Sequence, residues 1–235
     1  MIIGSGLLAR AFFEKYSEAT DICIYASGVA NSGCKDQHEF LRERQMLSDA
    51  IDRWSTAQVF LYFSTCSIYD KTAGNSDYIR HKKEMEALVS QHPNFLIARF
   101  PNVAGVSKNP HTLLNYFSAK ILGSDKLLVW KNATRNIIDM DDVVAIVAKV
   151  IAKPDLRRLI INIANPRSAN VMAIVSTMEV ILSKRANVEA LEQGGEFDID
   201  VTLMMSICAE LGLVFDDFYL ERVLRKYYGV RTDEP

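Results

Sequence analysis

Tyr78 and Lys82 stand four residues apart, and that spacing is where chemistry can first be read in this chain. On a helix, positions i and i+4 share a face, so the phenol and the ammonium would point the same way. A free phenol with a pKa near ~10 is a poor proton shuttle at neutral pH. A cation held at ~4 Å in a medium of effective dielectric ~20 favours the phenolate by ~4 kcal/mol, up to about three pKa units. The apolar run Gln58 to Phe63 leads straight into Ser64-Thr65-Cys66-Ser67-Ile68-Tyr69. A threonine hydroxyl at such a strand end can hold the oxygen that gains or loses the proton. This is equipment for moving a proton on and off an alcohol or carbonyl.

A second Tyr-x-x-x-Lys, Tyr116 to Lys120, occurs in the same chain, and context separates the two. Only Tyr78 follows a Ser/Thr-rich strand end and a polar helix start, Asn75-Ser76-Asp77. Tyr116 lies in an apolar run from Leu113 to Leu122, where its phenol is expected in the core. Cys66, beside Thr65, is a nucleophile only if exposed and paired with a His, and no His is clearly placed for that. At the start of the chain, Gly4-Ser5-Gly6-Leu7-Leu8-Ala9 reads G-x-G-x-x-A and opens a helical pattern from Leu7 to Tyr16. In a dinucleotide-binding turn the first glycine makes the turn and the second admits a pyrophosphate. The small third residue lets helix and strand pack, with the phosphates at the helix N-terminus.

The elements that must position these groups alternate. Helices are expected over 39–54, 78–90, 111–122, 141–153, 171–186, 200–211 and 217–228, and strands over 22–28, 58–63, 94–100, 127–130, 136–140 and 159–163. Helices alternating with short apolar strands predict an α/β fold, a mostly parallel sheet covered on both faces. Gln193-Gly194-Gly195-Glu196 is a loop, over a cleft or an ordinary turn. At 235 residues, 49% of them apolar, the chain has enough material for one compact domain with a sizeable core. Its net charge of −2, without a Lys/Arg cluster, argues against general nucleic-acid binding. Cys23, Cys34, Cys66 and Cys208 lack metal spacing and read as reduced cytoplasmic thiols. With four His and no metal-binding spacing, no catalytic metal is expected. No signal peptide or membrane-spanning run is apparent, so a cytoplasmic location is expected.

Taken in order, the motifs resemble those of the extended short-chain dehydrogenase/reductases, the NAD-dependent sugar-nucleotide epimerase, dehydratase and reductase group. The glycine turn at Gly4 to Ala9 comes first, then Ile22 to Gly28, similar to the strand that passes under the nicotinamide ribose. Phe63 to Tyr69 resembles the family's "SSxxVYG", with Thr65 at the catalytic Ser/Thr position, and Tyr78 and Lys82 match the catalytic pair. Ala98 to Gly105 resembles "LRxxNVYG", Arg135 to Val143 resembles "RDFIHVDDV", and Ile161 to Asn165 resembles the late "NIGN" strand. The resemblance implies a Rossmann-like doubly wound sheet, shortened, with a small C-terminal substrate lobe. Residues 1–105 would form the cofactor-binding core with the catalytic motif, and 106–235 the remaining core and the substrate lobe. It implies NAD or NADP as cofactor, touched by Gly4, Ser5, Gly6, Leu7 and Leu8 at the phosphates. Ala26, Ser27, Tyr78, Lys82 and Phe100 would meet the cofactor elsewhere. Thr65, Tyr78 and Lys82 would be catalytic, and Ser67, Asn102 and Arg135 would face a nucleotide-sugar substrate of the surface-polysaccharide precursor class.

The departures are as specific. A full member has two more strands between its first helix and the segment matched by Ile22 to Gly28; here Ser17 to Asp21 alone separate them. The acidic ribose ligand expected ~20 residues past the glycines has no counterpart. The glycine turn is one residue tighter than the usual G-x-x-G-x-x-G, Ala104 replaces the usual Tyr, and Asn136 the usual Asp. The expected activity is an NAD(P)-dependent reductase or epimerase of a nucleotide-activated sugar. The alternative is a catalytically degenerate relative that binds a nucleotide or a protein partner. The family also implies a homodimer through the helices at 39–54 and 78–90. Their apolar residues, Phe40, Leu41, Met46, Leu47, Ile51 and Trp54 with Ile79, Met85, Leu88 and Val89, exceed one buried stripe.

Overall fold

A computed structural model of the chain describes residues 1–71, 74 and 76–229; Asn75, expected at a helix start, lies outside the described residues. The first half runs β1 (Ile2–Ile3), α1 (Leu7–Tyr16), β2 (Ile22–Tyr25), α2 (Gln37–Arg53), β3 (Val59–Thr65), a 3-10 turn (Cys66–Tyr69), α3 (Asp77–Val89) and β4 (Phe95–Phe100). The second runs β5 (Asn102–Ala104), α4 (Leu113–Gly123), β6 (Lys126–Trp130), β7 (Thr134–Arg135), β8 (Ile137–Asp139), α5 (Met140–Ile151) and β9 (Leu159–Asn162). It closes with β10 (Ala169–Asn170), α6 (Val171–Ile181), β11 (Asn187–Leu191), α7 (Thr202–Leu211) and α8 (Tyr219–Tyr228).

The central sheet is parallel throughout, in the order β1-β2-β3-β4-β9, so the fold is the Rossmann-like α/β arrangement the motifs imply. β3 is buried at every position, as a strand covered on both faces must be. Short two-stranded pairs (β10 with β7, β11 with β6, β5 with β8) stand beside the sheet.

The strand order carries an unusual consequence. β1 to β4 step one way across the sheet. α2 and α3 cover one face, where Leu47, Ala50, Met85 and Val89 pack on Cys23, Tyr25, Phe60, Tyr62 and Ile97. α1 covers the other, where Phe12 and Tyr16 join Ile24, Leu61, Phe63 and Leu96. Two crossovers that step the same way over opposite faces have opposite hands. About 98% of parallel crossovers are right-handed, so β2–α2–β3 and β3–α3–β4 take that hand and β1–α1–β2 takes the opposite one, as does the connection from β4 to β9, whose α5 packs beside α1 on the same face. Among the described residues, no strand pairs with the outer edge of β1.

The helix expected over 171–186 ends at Ile181, Ser183 takes a left-handed φ of 50°, and the chain turns into β11, which runs parallel to β6. The apolar residues of α2 and α3 that suggested a partner are largely covered within the chain. Phe40, Leu47, Ile79, Met85 and Val89 are buried, and Leu41, 63% exposed, is the large apolar side chain left outside. No helix among the described residues is long and apolar enough to cross a membrane.

Candidate active site

The residues singled out by spacing gather along the carboxyl ends of β1, β2 and β3, the edge where ligands sit in open α/β sheets. Gly4 follows β1 with φ +132°, and a Cβ there would lie 2.4 Å from the Ala26 carbonyl oxygen, so only glycine lets the two strand ends approach this closely. Gly6 caps α1 with no side-chain hydrogen bond to the first turn, and open space surrounds the position its Cβ would take. The intrahelical ladder begins with the Arg10 N–H on the Gly6 carbonyl, leaving the earlier amides of the turn facing outward. The side chains of Leu7 and Leu8 pack into the core, so these residues offer backbone rather than side chain. Ala26 and Ser27 follow β2 at partly buried positions beside this turn.

Thr65 ends β3 and caps the 3-10 turn. Its Oγ1 accepts from the Ser67 N–H at 3.0 Å and lies 3.0 Å from Ser67 Oγ. Tyr78, on the first turn of α3 behind the Ser76 cap, is 6% exposed, and the Thr65 side chain acts on its phenol. Three hydroxyls therefore meet at one strand end. Burial first, and then the charge of Glu43, push the Tyr78 phenol up to about 12, against the lowering effect of Thr65. That is the reverse of the activation expected from the Tyr–Lys spacing alone, and the reason lies with Lys82.

Lys82 is 2% exposed. Its ammonium donates to Glu43 Oε1 at 3.0 Å and to the Tyr62 hydroxyl at 3.0 Å, while lying 6.0 Å from the Tyr78 ring centroid. Burial lowers the Lys82 pKa and Glu43 opposes the drop. Glu43, wholly buried on α2, also accepts from the Val29 N–H at 2.6 Å and the Tyr62 hydroxyl at 2.7 Å, with His81 Nε2 at 2.9 Å. Desolvation alone would raise its carboxyl. His81, Lys82, Val29 and Tyr62 together outweigh that and hold it at about 2. A Cβ on Gly28 would fall 2.6 Å from Lys82 Nζ and 2.8 Å from Glu43 Oε1, so the loop after β2 lies directly on the pair.

Below the hydroxyls, Arg99 grips Glu86 with two hydrogen bonds of 2.8 and 2.5 Å, and Ser64 Oγ donates to Glu86 at 2.6 Å. Arg99 also donates to Tyr69, whose hydroxyl reaches Asn162 Oδ1, tying the turn after β3 to β4 and β9.

The remaining expected positions are engaged otherwise. Phe100, beside Thr65 in the β3–β4 register, is buried edge-on against Phe63 at 5.2 Å, so its ring serves the core. Asn102 donates its side-chain amide and its backbone N–H to the Asn136 carbonyl, pinning β5 to β8. Arg135, partly buried on β7, donates to the Thr134 carbonyl at 2.8 Å. Tyr116 is 38% exposed, not in the core as expected; Phe117 turns inward in its place. Cys66 is buried and its thiol is pushed up to about 12 by desolvation, which removes it as a nucleophile. The Gln193–Glu196 loop is held by backbone bonds to Asn132 and Thr134.

Glu43, Tyr62 and His81 were not anticipated. The signal for Glu43 was present: Phe40, Glu43, Leu47 and Ala50 occur at helical spacing and form the buried stripe of α2. A carboxylate inside an apolar stripe calls for buried partners.

Residues 7–164 match the model of the NAD dependent epimerase/dehydratase family. No curated protein sequence matches the chain. Among solved structures, the chain is similar to UDP-glucuronic acid 4-epimerase from Bacillus cereus in complex with UDP-glucuronic acid and NAD. The identity is 20%, over 94% of this chain and 76% of that one, with a TM-score of 0.70. It is also similar to dTDP-glucose 4,6-dehydratase from Bacillus anthracis in complex with NAD (14%, 94% and 76%, TM-score 0.67). RMD from Pseudomonas aeruginosa, complexed with NADPH, is a third (15%, 91% and 83%, TM-score 0.67). At these identities the likeness is one of fold.

Proposed function

Since the chain belongs to the NAD-dependent epimerase/dehydratase family, we propose that it is an NAD(P)-dependent reductase or epimerase acting on a nucleotide-activated sugar. The observation that carries this reading is the meeting of the Thr65, Ser67 and Tyr78 hydroxyls at the end of β3, on the same sheet edge as an uncapped helix N-terminus. The glycine turn fits a dinucleotide: Gly4 allows the close approach to Ala26, and Gly6 leaves room where a side chain would obstruct. A bound nicotinamide would supply hydride exchange with a sugar carbon.

This chain's own residues would do the rest. The backbone amides of Ser5, Gly6, Leu7 and Leu8 would take the pyrophosphate at the positive end of α1. Ala26 and Ser27 would border the nicotinamide side. Tyr78 would exchange a proton with the reacting oxygen, and Thr65, assisted by Ser67, would hold that oxygen in line. Lys82, fixed by Glu43, would stand behind the phenol on the cofactor side. Asn102 would act through the β5–β8 strand end it pins, and Arg135 would serve a diphosphate only by releasing the Thr134 carbonyl. A role in surface-polysaccharide precursor metabolism, a cytoplasmic setting and the division at residue 105 into cofactor and substrate regions complete the reading. The homodimer would pair through α2 and α3 around Leu41.

The closure of Lys82 in an ion pair favours a second reading, a relative that binds a nucleotide without turnover. Titration calorimetry with NAD(H) and NADP(H) tests the first step of both. Binding is expected, and no heat from any of the four would sink the oxidoreductase reading.

A further inference from the structure

Tyr78 lies one helical turn from a buried ion pair, Lys82 with Glu43. The titratable groups around Tyr78 come from each element packed there: Lys82 on α3, with His81 turned to Glu43, Glu43 on α2, Tyr62 and the Thr65 hydroxyl on β3, and Cys34, from the loop after β2, packed against the same apolar cluster. Glu86 lies one turn further along α3, paired with Arg99. Among the described residues, the cation placed over the Tyr78 ring is Lys82. It stands 3.0 Å from a carboxylate oxygen and 6.0 Å from the phenol's ring centroid, and both members of the ion pair are sealed from water. A screened charge of this kind leaves little net field at the tyrosine, because the paired carboxylate cancels it in the same low-dielectric space.

We propose that Glu43 neutralises Lys82 and thereby keeps Tyr78 as a phenol, so that the site donates a proton to a carbonyl oxygen and the chain works as a reductase. This rests on the proposed function and narrows it. Epimerisation at a carbinol carbon, like dehydration next to one, begins by oxidising an alcohol, and that step needs a base to take the hydroxyl proton. Reduction needs an acid, and a buried phenol beside a threonine hydroxyl is one. A bound reduced nicotinamide dinucleotide would supply the hydride, with its electron pair, to the carbonyl carbon and be left oxidised. The π pair of the C=O bond becomes the new O–H bond to the Tyr78 proton, and the phenolate left behind regains a proton from water. The raised phenol and the strongly acidic Glu43 carboxyl agree with this arrangement. Glu43 is then a positioning residue: it touches neither substrate nor cofactor and acts through Lys82.

The test needs no substrate. The ultraviolet absorbance of tyrosinate is followed with rising pH in the wild type and in Tyr78→Phe, with circular dichroism confirming the fold, and the difference isolates Tyr78. No ionisation of Tyr78 is expected below ~pH 10, and in Glu43→Gln the onset moves down by at least ~1 pH unit, a tenfold change in the ionisation constant. Ionisation in the wild type below ~pH 10, or an unmoved onset in a folded Glu43→Gln, overturns the proposal. Should Glu43→Gln not fold, Glu43→Met is titrated in its place, with the same two outcomes. Calorimetry with NADH separates the two claims: lost binding sinks the oxidoreductase reading, whereas early ionisation of Tyr78 with NADH still bound sinks the assignment of direction.

Discussion

A carboxylate with no water around it must find its partners among neighbouring side chains, and Glu43 finds Val29, Tyr62, His81 and Lys82. Removing one member of such a buried pair strands the other, which typically costs ~3–5 kcal/mol; Glu43→Ala is expected to fall in that range by urea unfolding. The pH dependence follows from the depressed Glu43 carboxyl. Its contribution is full above the unfolded value of 4.5 and is lost as pH falls toward the folded value of about 2. Urea midpoints should therefore decline below pH 4.5 in the wild type and decline less in Glu43→Gln, and equal slopes would remove Glu43 from the account. At the hydroxyl cluster, Tyr78→Phe should lower turnover at least ~10²-fold with the fold intact, while Tyr116→Phe leaves it unchanged. Equal losses from the two variants would refute the choice between the pairs. Thr65, Tyr78 and Lys82 were legible because their chemistry depends on short-range spacing. The protonation state of Tyr78 was not, because the residue that sets it lies on another helix, 35 positions earlier by residue number.

At the scale of elements, the helices were readable because about three turns or more repeat an apolar period, and α1 spans the residues its pattern marked. Two-residue strands such as β7 and β10 carry no period at all. β11, Asn187–Leu191, carries Glu, Ala and Leu, which favour helices, and only its ladder with β6 makes it a strand. Motif positions such as Asn102, Arg135 and Phe100 were found, but sequence could not show that each is engaged by a backbone carbonyl or an aromatic neighbour. The glycine turn is the element whose requirement is sharpest. In Gly4→Ala the added methyl would meet the Ala26 carbonyl at 2.4 Å in a backbone region hostile to L side chains. The turn must then shift, and NADH affinity measured by calorimetry is expected to fall at least ~10-fold, or ~1.4 kcal/mol. Unchanged affinity would show that the turn does not bear on the pyrophosphate.

For the whole molecule, the strand order governs what a dinucleotide can touch. With β1 at the sheet edge, the described residues offer no platform beyond it for an adenosine ribose. NAD and NADP are therefore expected to bind weakly and almost equally, and a submicromolar dissociation constant with strong preference for one would contradict that. Light scattering coupled to size exclusion addresses the pairing through α2 and α3, since a mass near 26.5 kDa at micromolar concentration excludes the dimer. The left-handed β1–α1–β2 connection has a consequence in the language of deletion and graft. α1 rests on the face it would occupy if the chain after it stepped outward from β1, away from β2; a step in that direction over the same face is right-handed. The connection thus has the form left by excising a strand–helix–strand segment between Tyr16 and Ile22 while the first helix kept its seat. Inserting such a segment there would let its strands pair along the open edge of β1, turn this left-handed connection into an ordinary right-handed crossover, and extend the sheet without disturbing a residue of the hydroxyl cluster. A grafted chain that folds with two added parallel strands would bear out this geometry, and one that displaces α1 from Ile24 and Phe63 would exclude it.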